Sequence, residues 1–234
     1  VRDNTLVIYI SDHGADFPRA KGSVYESGTR IPMIVSYPRA FSTGKVENGL
    51  VSSIDILPTV LSAAGIPIPR ELPGFALQRL DSGQASPRKY IHTFTTGSSP
   101  NLLYLQFGIR DERYKLVYNP DRALNRLAES RYKNSQVPSD QHLQSFLYPP
   151  EYELFDLDSD PNEWTNLASH PQYQGTKERL VKAMLEFQRS INDPFAKPVN
   201  IAKFIAEQKL YKRRPYKKPG FRWPHLDMFQ SEGR

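Results

Sequence analysis

The sequence predicts an α/β fold in which a largely parallel sheet with flanking helices is followed by a small antiparallel sheet packed with a long helix. Three observations carry this expectation. "TLVIYIS", Thr5 to Ser11, is a continuous apolar run rich in β-branched and aromatic residues, the pattern of a strand buried on both faces. A further strand and a helix follow before Gly65, the order of an α/β layer. Beyond Ser82, several short strand-like runs precede the most regular amphipathic stretch of the chain, "TKERLVKAMLEFQRSIND" at 176–193.

In chain order, Met33 to Tyr37 reads as a short strand ended by Pro38. Ser52 to Gly65 reads as a helix: Ser52 or Ser53 caps it, Pro58 marks its first turn or a kink, Ile54, Leu57, Val60 and Leu61 share a face, and Gly65 ends it. Prolines at 67, 69, 73 and 87 with glycines at 74 and 83 mark a connector, with a domain boundary near Ser82. "KYIHTFTTG", "LYLQFGIRD" and "RYKLVYNP" then read as strands, the last two joined by a tight turn at Asp111 to Arg113. "RALNRLAESRYK" looks helical and "YELFDLD" is another strand. In the long helix, Leu180, Met184, Phe187 and Ile191 form the stripe expected to pack on the antiparallel sheet. The expected units are 1–82, 83–195 and a basic, proline-rich tail at 196–234.

A chain of 234 residues is long enough for a real core, and 38% hydrophobic content with 20 prolines points to a globular protein rich in loops. With no cysteine, disulfides, thiolate metal sites and cysteine nucleophiles are excluded within these residues. No apolar run approaches the roughly 20 residues of a membrane-spanning helix, so a soluble chain is expected. The amino terminus moves directly into a strand without the features of a secretory signal, so the signal of an exported protein is expected upstream.

The net charge of +6 comes from one stretch: between Glu207 and Arg222 seven basic residues stand against a single acid. Interleaved with Tyr211, Tyr216, Phe221 and Trp223, they could hold a sulfated polysaccharide, nucleic acid or an anionic membrane. A solvated tail is the plainer reading, because prolines at 215, 219 and 224 argue against a basic helix with a defined face.

Asp12 and His13 end the first predicted strand, and Gly14 lets the backbone turn at once. In an extended strand these two side chains would point to opposite faces, so both face one ion only because the strand has ended. A hard ion such as calcium needs about six or more oxygens, so further ligands must come from elsewhere; the imidazole would also admit zinc or manganese. Alone, Asp-His-Gly is more simply a turn with a capping Asp. Lys21 follows within ten residues, flanked by Gly22 and Ser23 and then by "YESGTRIP". A lysine is a compact point charge suited to an anionic oxygen, although a solvated loop lysine is the plainer reading of Lys21 alone.

The combination Ser11-Asp12-His13-Gly14 followed by Lys21-Gly22-Ser23-Val24-Tyr25-Glu26-Ser27-Gly28-Thr29-Arg30-Ile31-Pro32 resembles the sulfatase family of the alkaline-phosphatase-like superfamily. The helix "SSIDILPTVLSAAGIPIP" and "YELFDLDSDPNEWTNLASHP" match further family landmarks, so the resemblance runs from about Asn4 to Phe195. Phe17-Pro18, the "DERYKLVYN" hairpin and "INDPF" look most like the heparan N-sulfatase (N-sulfoglucosamine sulfohydrolase) branch.

The resemblance implies that Asp12 and His13 are calcium ligands and that Lys21 contacts the sulfate of a sulfated, glycosaminoglycan-like carbohydrate. His13 replaces the family's commoner asparagine. Tyr25, Glu26 and Arg30 are expected to hold the loop against the sheet, and Asp160, Glu163 and Asn166 to serve as turn and capping residues. His92 and the "TFTTGSSPNL" loop would reach over the pocket and read the sugar, against the plainer reading of a surface loop with an incidental histidine.

The family's nucleophile is a formylglycine made within Cys/Ser-x-Pro-Ser-Arg, and no such motif occurs here; Ser36-Tyr37-Pro38-Arg39 is the nearest, non-matching string. The chain is therefore expected to be the carboxyl-terminal part of a sulfatase, inactive alone, whose formylglycine and remaining domain lie upstream. Exported location is implied, no nucleic-acid partner is expected, and a homodimer is compatible. Alternatives are a phosphodiester or phosphonate hydrolase of the same superfamily, or a non-catalytic binder of sulfated glycans.

Overall fold

The computed structural model describes residues 1–97, 103–123, 125, 128–129, 141–210 and 218–223. Its elements are β1 (Val7–Ile10), α1 (Glu26–Thr29), β2 (Met33–Ser36), α2 (Ile56–Ala63), α3 (Gln78–Asp81), β3 (Ile91–Gly97), β4 (Leu103–Arg110), β5 (Tyr114–Tyr118), α4 (Gln141–Leu147), β6 (Tyr152–Asp156), α5 (Gln174–Ser190) and α6 (Pro198–Leu210). Most of the helix expected at 122–133 falls outside the described residues, as do residues 98–102 of the loop after His92.

The organising layer is an antiparallel sheet in the order β3-β4-β5-β6. Strand alternation gives it two unlike faces. Leu105, Phe107 and Ile109 of β4, Leu116 of β5 and Leu154 of β6 form one face and pack with Leu180 and Met184 of α5 and with Phe195 and Phe204. The opposite face carries Gln106, Gly108, Lys115, Val117, Glu153 and Phe155, and receives Val24 and Tyr25 from the segment after β1. The antiparallel sheet and its long helix are thus as the sequence predicts.

The helix stripe is corrected in detail. Leu180, Met184 and Gln188, at strict i, i+4, i+8 spacing, are buried, whereas Phe187 lies at the margin and Ile191 is 55% exposed just past the helix end. Residues expected in the tail form α6, which begins on Pro198, where a missing amide costs nothing. Phe204 of α6 closes the core edge-on against Phe195, with ring centroids 5.5 Å apart.

At the amino-terminal end, β1 and β2 pair antiparallel, Val7 with Ser36 and Ile10 with Met33. Within this chain the partner of β1 is antiparallel, and the reason is the connection. Gly14 N donates to Gly28 O at 3.0 Å, which closes the loop on itself and returns the chain beside the end of β1 that it left. A parallel partner would need a crossover to the other end. Within this chain Tyr9 and Ile34, cross-strand neighbours, are 62% and 61% exposed.

Helix α2 also turns its face. Ile54, Leu57 and Val60 are exposed while Asp55, Pro58 and Thr59 are buried, because Asp55 anchors the connector. Its carboxylate accepts from Ser52 N (2.8 Å) and Phe75 N (3.0 Å) and forms a two-pronged pair with Arg88 at 2.6 and 2.7 Å. Ser52 is the predicted cap, in a reciprocal box with Asp55, and Gly65 ends the helix at φ +70°.

Candidate active site

The site begins where β1 stops at Ile10. Ser11 Oγ donates to His13 O at 2.6 Å and closes a tight turn, and His13 Nδ1 lies 2.7 Å from Gly14 O. With Nδ1–H donating to that carbonyl, Nε2 is left with its lone pair, the state a metal-binding imidazole needs. Nε2 is 3.3 Å from Asp12 Oδ2, so the carboxylate and the imidazole converge on one point, and the Asp12 side chain is 84% exposed. A β-carbon on Gly14 would stand 1.8 Å from Ser27 O, so only glycine allows the loop to close here.

That donor pair suits a divalent cation as part of a shell. No group of three or more His, Cys, Asp or Glu side chains comes together among the described residues, so Asp12 and His13 supply two ligands and no more here.

Lys21 sits on the same loop. Its backbone N–H and that of Phe17 both donate to Ala15 O, at 3.2 and 2.8 Å, and Gly22 follows at φ +79°. The Lys21 side chain is partly exposed, and among the described residues its ammonium has no acidic partner. Asp12, His13 and Lys21 thus lie on one loop.

His92 is not brought there. It pairs in register with Ile109, on the sheet face that packs against α5, and its ring stacks on Phe187 with centroids 3.8 Å apart. The loop carrying Lys21 lies on the opposite face. Burial pushes the imidazole down to about 4, the signature of a neutral packing group. His92 therefore packs between the sheet and the long helix and is not on the face that carries the Lys21 loop.

What holds the loop is a cluster of buried charge. Glu26, on the first turn of α1, pairs through Oε1 with Lys115 Nζ at 2.8 Å and through Oε2 with Arg110. Burial would raise its carboxyl, but Lys115 and Arg110 outweigh burial and hold it below its ordinary value. Glu163 Oε2 accepts from Glu26 N at 2.6 Å and its Oε1 is 3.4 Å from Lys115 Nζ. Val24 N donates to Gln106 Oε1 at 3.0 Å and Tyr25 Oη to Glu153 Oε2 at 2.7 Å.

The expected anchoring roles of Tyr25 and Glu26 are seen directly. Asp160 and Asn166 do cap turns, accepting from Thr165 N and from Leu154 N and Ala168 N; Glu163 reaches much further than a turn residue. Lys115 and Glu153 escaped notice, although a charge between apolar neighbours in "YKLVY" and "YELFD" is the signal that marks them.

Burial raises Glu153 to about 6 from an ordinary 4.5, with the Tyr25 and Asn119 hydrogen bonds pulling against it. The folded protein therefore holds this proton more tightly than the unfolded chain. The stabilisation is complete below pH 4.5 and is lost as pH rises through 6. Glu153→Gln keeps an acceptor for Tyr25 without the titration. Urea denaturation should show wild type losing about 2 kcal/mol more than the variant between pH 4 and 7; parallel pH curves would refute this.

A model of the family described as "N-sulphoglucosamine sulphohydrolase, C-terminal" matches residues 18–127, from the Lys21 loop through β5. The chain belongs to the sulfatase family. An ulvan-active sulfatase of Formosa agariphila is 29% identical over 199 residues, 82% of this chain and 39% of that protein. The human N-sulphoglucosamine sulphohydrolase is 26% identical over 223 residues, 83% of this chain and 43% of its own length. The chain thus spans about two fifths of these sulfatases. The solved structure of a 2-O GAG sulfatase superposes with a TM-score of 0.63 at 21% identity, covering 82% of this chain and 38% of that one, and shares its fold.

Proposed function

We propose that this chain is the carboxyl-terminal part of a sulfatase that hydrolyses sulfate esters or N-sulfo groups of a glycosaminoglycan-like carbohydrate. The observation that carries the reading is that Asp12 and His13, a two-donor corner, share one clamped loop with Lys21, whose ammonium has no acidic partner among the described residues. Curated relatives named for sulfated carbohydrates support it.

Asp12 and His13 would hold calcium, which, when bound, polarises the sulfate oxygens. Lys21 places its ammonium against the sulfate and stabilises the negative charge that builds on the oxygens in the transition state. The loop's hydrogen bonds to the sheet keep that charge from having to reorganise. The formylglycine would come from a segment outside this sequence, which has neither a cysteine nor a Cys/Ser-x-Pro-Ser-Arg motif. The exposed apolar groups Tyr9, Ile34, Ile54 and Leu57 are suited to packing against the remainder of that catalytic domain. Among the described residues no helix is long and apolar enough to cross a membrane, and by family we place the whole protein among exported enzymes.

The test is release of inorganic sulfate by the full-length protein from a sulfated glucosamine-containing oligosaccharide. Release should fall at least tenfold after chelation and return with calcium, in line with loss of a charge stabiliser. Preference for a phosphonate monoester over every sulfate would refute the sulfatase reading. So would salt-sensitive glycan binding without any turnover.

A further inference from the structure

Resting on the assignment of Lys21 to the sulfate, we infer that Glu163 is the positioning residue of the Lys21 turn. One buried residue holds both ends of that turn. Its backbone carbonyl accepts from Arg19 Nη2 at 2.6 Å, two positions before Lys21, and its carboxylate Oε2 accepts from Glu26 N at 2.6 Å, five positions after it. The path from Arg19 through Lys21 to Glu26 is thereby closed across Glu163, 137 residues from Glu26 in sequence.

The backbone shows that this closure is imposed. Glu163 is 2% exposed at φ +59°, and Arg19 lies at φ +61°. Both are left-handed conformations that a side chain makes unfavourable, and such strain persists only where the surroundings over-determine it. Here they do. Arg19's guanidinium lies over the rings of Tyr25 (4.2 Å) and Trp164 (5.0 Å), and Ser23 Oγ and Ser27 Oγ both donate to Arg19 O, at 2.6 and 2.7 Å. Lys115, 3.4 Å from Glu163 Oε1 and 2.8 Å from Glu26 Oε1, supplies the charge that lets two carboxylates stand together under the loop. Glu163 is buried, with its carboxylate turned to Glu26 N and Lys115; it acts through the position of Lys21.

The experiment is a kinetic double-mutant cycle in the full-length protein. Glu163→Gly removes the carboxylate while keeping a residue at ease with positive φ, so backbone strain does not confound the result. It should lower kcat/KM for a sulfated carbohydrate by about 10- to 100-fold, the scale of an ångström-sized misplacement. Glu163→Gln, which keeps an oxygen for Glu26 N, should restore most of the loss. In a Lys21→Ala background, Glu163→Gly should cost nothing further. Full multiplication of the two losses, or unchanged kinetics in Glu163→Gly, overturns the inference. Should Glu163→Gly not fold, Arg19→Ala releases the other end of the turn and carries the same comparison. If Lys21→Ala alone leaves turnover unchanged, it is the sulfate assignment that fails, an outcome distinct from multiplication beside an intact Lys21 effect.

Discussion

Lys115→Met should destabilise the protein by about 3–5 kcal/mol, the range seen when one partner of a buried ion pair is removed. Methionine fills nearly the same volume, so the loss is electrostatic and leaves little cavity. Lys115 is 2% exposed and lies between two carboxylates that are themselves buried, Glu26 at 6% and Glu163 at 2%. Arg110 still pairs with Glu26 in the variant, so Glu163 bears the uncompensated charge. Because burial already raises Glu163, it should take up a proton when Lys115 is gone. The destabilisation should therefore be smaller at pH 5 than at pH 8. Glu163→Gln added to Lys115→Met should recover part of the loss. Urea denaturation measures all three proteins; a single-variant change under about 1 kcal/mol would mean that this cluster does not hold the loop.

The course of the loop was legible in the sequence because it is local. A strand that stops, an Asp-His pair where it stops and a glycine that lets the chain turn are contiguous, and Gly14 closes the loop where the sequence places the turn. The antiparallel sheet was legible for the same reason: each strand carries its own alternation, and neighbours in sequence are neighbours in space. What escaped depends on pairing at a distance. Nothing near Glu163 says that its carboxylate meets the backbone of Glu26, nor does "YKLVY" say that Lys115 points inward toward two acids.

The packing of His92 was not legible from its position. The alternation of β3 sends it to the α5 face with Ile109, a consequence of register that a histidine beside a polar loop does not reveal. The apolar side of α2 misled differently. Ile54, Leu57 and Val60 do share a face, but Asp55 and Thr59 decide which face packs on the connector, through hydrogen bonds to Phe75 N and Leu77 N.

The central claim is that the loop from Asp12 to Arg30 forms the cation-and-sulfate side of a sulfatase active site, and Lys21→Ala in the full-length protein tests it most directly. Lys21 is partly exposed and has no acidic partner among the described residues, so its removal should leave stability within about 0.5 kcal/mol. Loss of one preorganised charge stabiliser should lower kcat for sulfate release by about 100- to 1,000-fold. That loss, at an unchanged melting temperature, is the expected result. Unchanged sulfate release at an unchanged melting temperature would contradict the claim and remove Lys21 from the site.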